Sequence, residues 1–184
     1  MKLYVMRHGQ TDWNVRQVYQ GDTDVPLNET GLKQAEAAKA QVFPGMVDLI
    51  FCSTLMRARQ TAAAVNEVLG VPVVYRKEMI ERAFGEWEGL SYVEKRSHPY
   101  IASGDYDNYR CTERVAGIEL CSEVCERAWG FIKELKEFYP DKSLLLVSHG
   151  SWIRAMSAFF RGLDENGSVG HVRADNCEIL EFEY

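Results

Sequence analysis

A chain of 184 residues with 21 Lys and Arg against 27 Asp and Glu carries a formal charge of −6. That length predicts one domain with room for one elaborate insertion, able to bury about 70% of its unfolded surface without disulfides or a metal. The acidic balance excludes a general nucleic-acid binder, which needs a basic face, and argues against docking on an anionic membrane.

The first apolar run, residues 3–6, reads as a short buried strand. Residues 28–42 read as a helix capped by Asn28, with Leu32, Ala35, Ala38 and Val42 inward and Pro44 just beyond. Residues 47–52 form a second strand. Residues 54–69 form a second helix, with Ser53 as cap, Leu55, Ala58, Ala62, Val65 and Leu69 inward, and Gly70 as the stop. A third strand covers residues 71–75. Residues 91–117, rich in Tyr and Arg, fit no regular element; such a stretch is a functional loop or a surface excursion. The strongest helix spans residues 119–139, with Leu120, Val124, Ala128, Phe131, Leu135 and Phe138 inward and Pro140 after it. A buried strand at residues 143–147, a helix at 151–161 and a last strand at 177–184 complete the chain.

Near-continuous apolar strands alternating with helices predict an α/β fold: a three-layer sandwich with a mainly parallel central sheet and helices on both faces. One domain covers residues 1–184, with a variable, substrate-facing insertion at about 91–117. Five scattered Cys (52, 111, 121, 125 and 177) contain no Cys-x-x-Cys pair and read as core residues of a reducing compartment. Cys121 and Cys125 stand four apart on one helix, so a pair on one face is the alternative. No signal peptide and no membrane span is visible, which predicts a cytoplasmic protein.

In parallel sheets ligands bind beyond the carboxyl ends of the strands. Three places qualify: Arg7-His8-Gly9, Ser53 to Arg57, and Ser148-His149-Gly150. Two Arg, two His and a helix N-terminus would form a focused positive pocket in an acidic protein. Arg forks suit phosphate oxygens, and Gly9 and Gly150 allow close backbone approach. Residues 1–90 carry ten basic and eleven acidic side chains, and residues 91–184 eleven and sixteen, so the acidic surplus lies away from this cluster. Each signal is weak alone, since a His at a strand end is more often structural.

Together these residues carry a resemblance. Arg7-His8-Gly9-Gln10-Thr11-Asp12-Trp13-Asn14 resembles the signature of the histidine phosphatase superfamily, in the branch with cofactor-dependent phosphoglycerate mutase. In register behind it follow Gln20-Gly21, Asp24, Pro26-Leu27 and residues 31–35. Residues 53–61 resemble the family's S-x-L-x-R-A-x-Q-T element, residues 81–89 its E-x-x-F-G-x-W-E-G element, and residues 147–150 its second histidine element. The resemblance implies a phosphoglycerate mutase-like fold and a metal-independent phosphomonoesterase with no cofactor. It implies His8 as nucleophile forming a phosphohistidine, and Arg7, Arg57 and His149 as a clamp on the phosphoryl oxygens. Asn14, the backbone of Gln20 and Gly21, and Gly150 would complete the phosphate site. Glu81 would protonate the leaving oxygen and then activate water.

Other readings of single residues remain open. Glu81 also fits a solvated loop residue, and residues 85–89 a plain turn packing Trp87. Arg59 and Arg82 read as surface or support residues, and His98 and His171 as solvent-facing. Gly117-Ile118-Glu119 followed by Arg127 resembles a further family element, although helix capping and a Glu123–Arg127 pair explain it equally well. Where the family often carries an Arg two residues before Gln-Gly, this chain has Val18. Residues 91–117 hold no adjacent Arg pair, although Arg110 and Arg114 would be neighbours on a helix. The short middle region resembles the family's broad phosphatases more than its mutases. The expected substrate is a small phosphorylated metabolite, with α-ribazole phosphate and sugar phosphates as candidates. A phosphoglycerate mutase and a noncatalytic phospho-ligand module are the competitors; a serine hydrolase lacks its Gly-x-Ser-x-Gly elbow here.

Overall fold

A computed structural model describes residues 1–170 and 172–183. Five strands form one sheet in the order β3-β2-β4-β1-β5. They are β1 (Lys2–Arg7), β2 (Leu49–Ser53), β3 (Val73–Arg76), β4 (Ser143–Ser148) and β5 (Ile179–Glu183). β1 pairs in parallel with β4, β4 with β2 and β2 with β3, while β5 runs antiparallel to β1. The central strands have side chains buried on both faces, which is why they read as unbroken apolar runs. Alternate residues serve opposite layers. Tyr4, Met6, Ile50, Cys52, Leu145 and Val147 pack on α2 (Glu29–Ala37) and α3 (Met56–Leu69). Leu3, Val5, Phe51, Leu144 and Leu146 pack on α5 (Cys121–Phe138) and α6 (Gly150–Arg161). The remaining helices are single turns, α1 (Asp12–Val15) and α4 (Pro99–Ala102).

The mainly parallel sheet with helices on both faces matches the sequence expectation, and the exceptions are local. The first long helix stops at Ala37 and tightens into a 3₁₀ turn over Ala38–Gln41. Leu32, expected inward, is 50% exposed, and Phe138, the last residue of α5, is 65% exposed. Ser53 does not cap α3; it ends β2. The first amide of α3, from Met56, instead donates to Asp24 Oδ1 at 2.6 Å, so a distant loop caps the helix. Gly70 ends α3 in the left-handed conformation as expected, with φ 64°. The third strand is shifted to Val73–Arg76 and forms the sheet edge opposite β5.

Residues 91–117 fold over the sheet's carboxyl edge as short 3₁₀ turns and α4. Their Tyr100 packs with Tyr19, Phe84, Trp87 and Ile118 in a separate aromatic cluster. His98 is not a solvent-facing residue: it caps α4 through the Tyr100 amide at 3.3 Å, and its ring meets Trp87 at 5.0 Å. Arg110 and Arg114 share no helix; Arg114 pairs with Glu123 at 2.6 Å. The expectation for His171 lies outside the described residues. All five cysteines are free thiols. Among the described residues no helix is long and apolar enough to cross a membrane.

Candidate active site

Because β1, β2, β3 and β4 are mutually parallel, their carboxyl ends open on one edge of the sheet. A cavity of about 650 Å³ lies there, lined by Arg7, His8, Asn14, Gln20, Arg57, Glu81 and Gly150 among others. Seven of the nine expected site residues therefore meet at one place.

His8 follows the last residue of β1 and is 2% exposed. Its backbone is pinned: its amide donates to the Ser148 carbonyl at 3.0 Å, and its carbonyl accepts from Asn176 Nδ2 at 2.7 Å. Next to it, the Gly9 amide donates to Thr61 Oγ1 on α3 at 3.0 Å. His8 Nδ1 sits 2.7 Å from the Gly9 carbonyl, which only accepts, so Nδ1 carries the proton and Nε2 keeps its lone pair. Burial, then the charges of Arg57 and Arg7, push His8 well below its ordinary pKa of 6.5. The ring is neutral at physiological pH.

Arg7 closes β1. Its Nη1 donates to the Ala174 carbonyl at 3.0 Å, and its Nε is buried without a partner. A cationic N–H left unpaired in a buried place is costly, and an anion oxygen in the cavity would satisfy it. Arg57 lies in the first turn of α3 and is fully buried. It donates to the carbonyls of Thr23 at 2.8 Å and Gly21 at 2.7 Å. Burial lowers it to about 10, which leaves it charged at neutral pH. The loop that holds it is itself tied down by Glu88, whose carboxylate accepts from the amides of Asp22, Thr23 and Phe84 and meets the Thr23 hydroxyl. Gly21 has φ 55°, and a Cβ there would lie 1.8 Å from Glu88 Oε1. The Gly21 carbonyl orients Arg57, and Gly21 follows Gln20, which lines the cavity.

His149 follows the last residue of β4. It is fully buried and does not line the cavity. Arg57 Nε donates to its Nδ1 at 3.2 Å; a guanidinium only donates, so Nε2 carries the proton and gives it to Ser53 Oγ at 2.7 Å. Burial and the Arg57 charge hold this ring neutral too. Its centroid lies 5.1 Å from that of His8. Both nitrogens are engaged by protein, and through Nδ1 His149 braces the Arg57 guanidinium.

Asn14 and Gln20 line the cavity around Thr11, whose hydroxyl lies 3.1 Å from Asn14 Oδ1 and 2.9 Å from Gln20 Oε1. With their oxygens turned to Thr11, their amide nitrogens are the groups left for a ligand. Glu81 is not a solvated loop residue; it is 9% exposed. Its Oε1 accepts from the amides of Arg82 at 2.9 Å, Ser151 at 3.1 Å and Trp152 at 3.2 Å, and Oε2 from Ser151 at 3.2 Å. The carboxyl group therefore sits on the N-terminus of α6 with Oε2 the less encumbered oxygen. A Cβ on Gly150 would lie 3.8 Å from both Arg7 Nε and Glu81 Oε2, which places this backbone in contact distance of the two charged groups.

Three further arginines line the cavity that sequence reasoning did not assign: Arg96, Arg154 and Arg173. Arg154 could have been found from helical spacing, since it stands one turn beyond Gly150 on the same face. It pairs with Asp107 Oδ2 at 2.5 Å. Five arginines against Glu81 and Asp107 make the cavity positive inside a protein of charge −6. Arg82, by contrast, is buried support: it donates to the carbonyls of Glu119 at 2.7 Å and Tyr106 at 2.6 Å. Among the described residues no group of three or more His, Cys, Asp or Glu is arranged to hold a metal ion.

Comparison with known proteins identifies the family of the chain. The phosphatase PhoE of Bacillus subtilis is 36% identical over 98% of this chain and 89% of its own length. The adenosylcobalamin/alpha-ribazole phosphatase of Escherichia coli is 30% identical over 95% of this chain and 86% of its own. The mycobacterial glucosyl-3-phosphoglycerate phosphatase, solved with VO3, superposes with a TM-score of 0.84 at 29% identity, covering 98% of this chain and 90% of that one. The family model for the histidine phosphatase superfamily (branch 1) matches residues 3–184. The chain belongs to that superfamily and is a phosphoric monoester hydrolase of the phosphatase type.

Proposed function

We propose that the protein hydrolyses a small phosphorylated metabolite through a phosphohistidine on His8, with Glu81 as general acid and base and no metal. The observation that carries this reading is the tautomer of His8. With Nδ1–H committed to the Gly9 carbonyl, the Nε2 lone pair is available in a cavity shared with Arg7, Arg57 and Glu81. Nε2 attacks phosphorus as the bond to the ester oxygen breaks, and Glu81 delivers a proton to that oxygen. Water then gives a proton to Glu81 and attacks phosphorus, the N–P bond breaks, and phosphate leaves. The unpaired Arg7 Nε and the guanidinium of Arg57 neutralise charge on the phosphoryl oxygens, the part a metal plays elsewhere. The positive, Tyr-bearing rim supports an anionic metabolite of modest size, with sugar phosphates and α-ribazole phosphate in that class. A cytoplasmic setting fits the free thiols.

The test is release of inorganic phosphate from p-nitrophenyl phosphate and from alkyl phosphates. His8→Ala should abolish turnover and the acid-labile phosphoenzyme of the parent. Glu81→Gln should cost on the order of 10²-fold or more on alkyl esters, whose leaving oxygen needs a proton, and far less on the aryl ester. A His8→Ala protein with parental turnover refutes the nucleophile, and return of phosphate to the substrate skeleton would mark a mutase.

A further inference from the structure

Glu81 stands on irregular backbone between the 3₁₀ turn Lys77–Met79 and the next turn at Gly85–Trp87. Buried irregular backbone has carbonyls that no helix or sheet ladder satisfies, and something must hold them. Arg127 on α5 does so. Its Nη1 donates to the carbonyls of Glu78 at 2.9 Å and Ile80 at 2.8 Å, and its Nη2 to that of Glu81 at 3.2 Å. The other edge of the guanidinium meets both oxygens of Glu119, Nε at 2.8 Å and Nη2 at 3.1 Å. Glu119 then grips the far side of the segment: its Oε2 accepts from the Ala83 amide at 3.1 Å, and its own amide donates to the Ala83 carbonyl at 2.9 Å. Glu123, the partner that helical spacing suggested for Arg127, instead caps α5 through the Leu120 amide at 2.8 Å.

Neither Arg127 nor Glu119 lines the cavity, and both are less than 20% exposed at the side chain. An ion pair by itself adds little; this one distributes five further hydrogen bonds over the backbone on both sides of Glu81. We propose that Arg127 and Glu119 are a positioning pair that sets the Glu81 carboxyl in reach of the leaving oxygen. The proposal rests on the reading of Glu81 as proton donor. Displacements of about 1 Å in such an alignment cost up to 10²-fold in rate, whereas a pair that only staples the fold would affect every substrate alike.

The experiment compares kcat/KM for p-nitrophenyl phosphate and an alkyl phosphate in Arg127→Lys, in Glu119→Gln, and in each combined with Glu81→Gln. A lysine reaches one or two of the carbonyls that the guanidinium spans. Arg127→Lys should lose about tenfold or more on the alkyl ester and about twofold or less on the aryl ester. Glu119→Gln, which keeps an acceptor for the Ala83 amide, should show the same bias with a smaller loss. Added to Glu81→Gln, neither should change the ratio between the substrates further. Equal losses on both esters, or parental kinetics in either variant, would overturn the pair's role. If Arg127→Lys does not fold, as judged by thermal melting, Glu119→Gln decides alone. If Glu81→Gln itself shows no bias, the proton-donor reading falls; if it does and the pair variants do not, only the positioning proposal falls.

Discussion

Mild acid should destabilise this protein through two histidines that the fold keeps neutral. His8 and His149 are 2% and 0% exposed and both are held well below 6.5, first by burial and then by Arg57. In the unfolded chain they titrate near 6.5, so below that pH the unfolded state binds protons that the folded state refuses. Their contribution is complete above 6.5 and is lost as pH falls from 6.5 toward their depressed values. One unit below 6.5, each costs about 1.4 kcal/mol, so lowering the pH from about 7.5 to about 5.5 should remove roughly 2.8 kcal/mol. That is a large share of a typical margin of about 5–15 kcal/mol. Glu78 and Glu134, hydrogen-bonded to Arg76, and Asp48, bonded by the Ser143 amide, lie below the usual carboxylate range, so their losses begin only at lower pH. Urea unfolding of the parent and of His8→Asn at the two pH values is the assay. The variant should lose only about half as much, roughly 1.4 kcal/mol. A parent whose stability is flat over this interval, or a His8→Asn protein with the parental slope, refutes the argument.

Two further outcomes follow from packing. Gly31→Ala would place its Cβ 2.0 Å from the Gln10 carbonyl oxygen, so the turn after His8 must shift; stability should fall by about 1–3 kcal/mol in urea titrations, with phosphatase activity falling too. Trp152→Ala removes a fully buried ring and the donor that meets the Glu78 carbonyl at 2.7 Å, and thermal unfolding should register a loss of about 3–5 kcal/mol. A change of less than about 1 kcal/mol in either would contradict the close packing described here.

Readability from sequence followed the range of the interaction. Apolar runs mark the strands because burial on both faces demands them, and Asn28 and Gly70 mark helix ends because caps act within a few residues. The strand-end motifs containing His8 and His149 were legible for the same reason. Helical spacing failed where a remote partner competed. Asp24 displaced Ser53 at the start of α3, Glu119 displaced Glu123 as the partner of Arg127, and Leu32 and Phe138 had periodicity but no neighbour to cover them. The burial of Glu81 was invisible in its own segment, because besides the adjacent Arg82 amide the groups that hold its carboxyl are the amides of Ser151 and Trp152 in α6.

Local chemistry thus declared the alternation of strands and helices, the sheet edge that carries the cavity, and the residue types that suit a phosphate. Tertiary structure alone settled the hydrogen-bonding state of those residues. The Gly9 carbonyl assigns the tautomer of His8 locally, but only the folded arrangement of Arg57 and Ser53 assigns that of His149. Only the return of the chain through residues 91–117, α5 and α6 brings Arg96 and Arg154 to the cavity and the Arg127–Glu119 pair to the backbone of Glu81. A proton's position and a charge's environment depend on groups within a few ångströms in space, and those groups lie tens of residues apart along the chain.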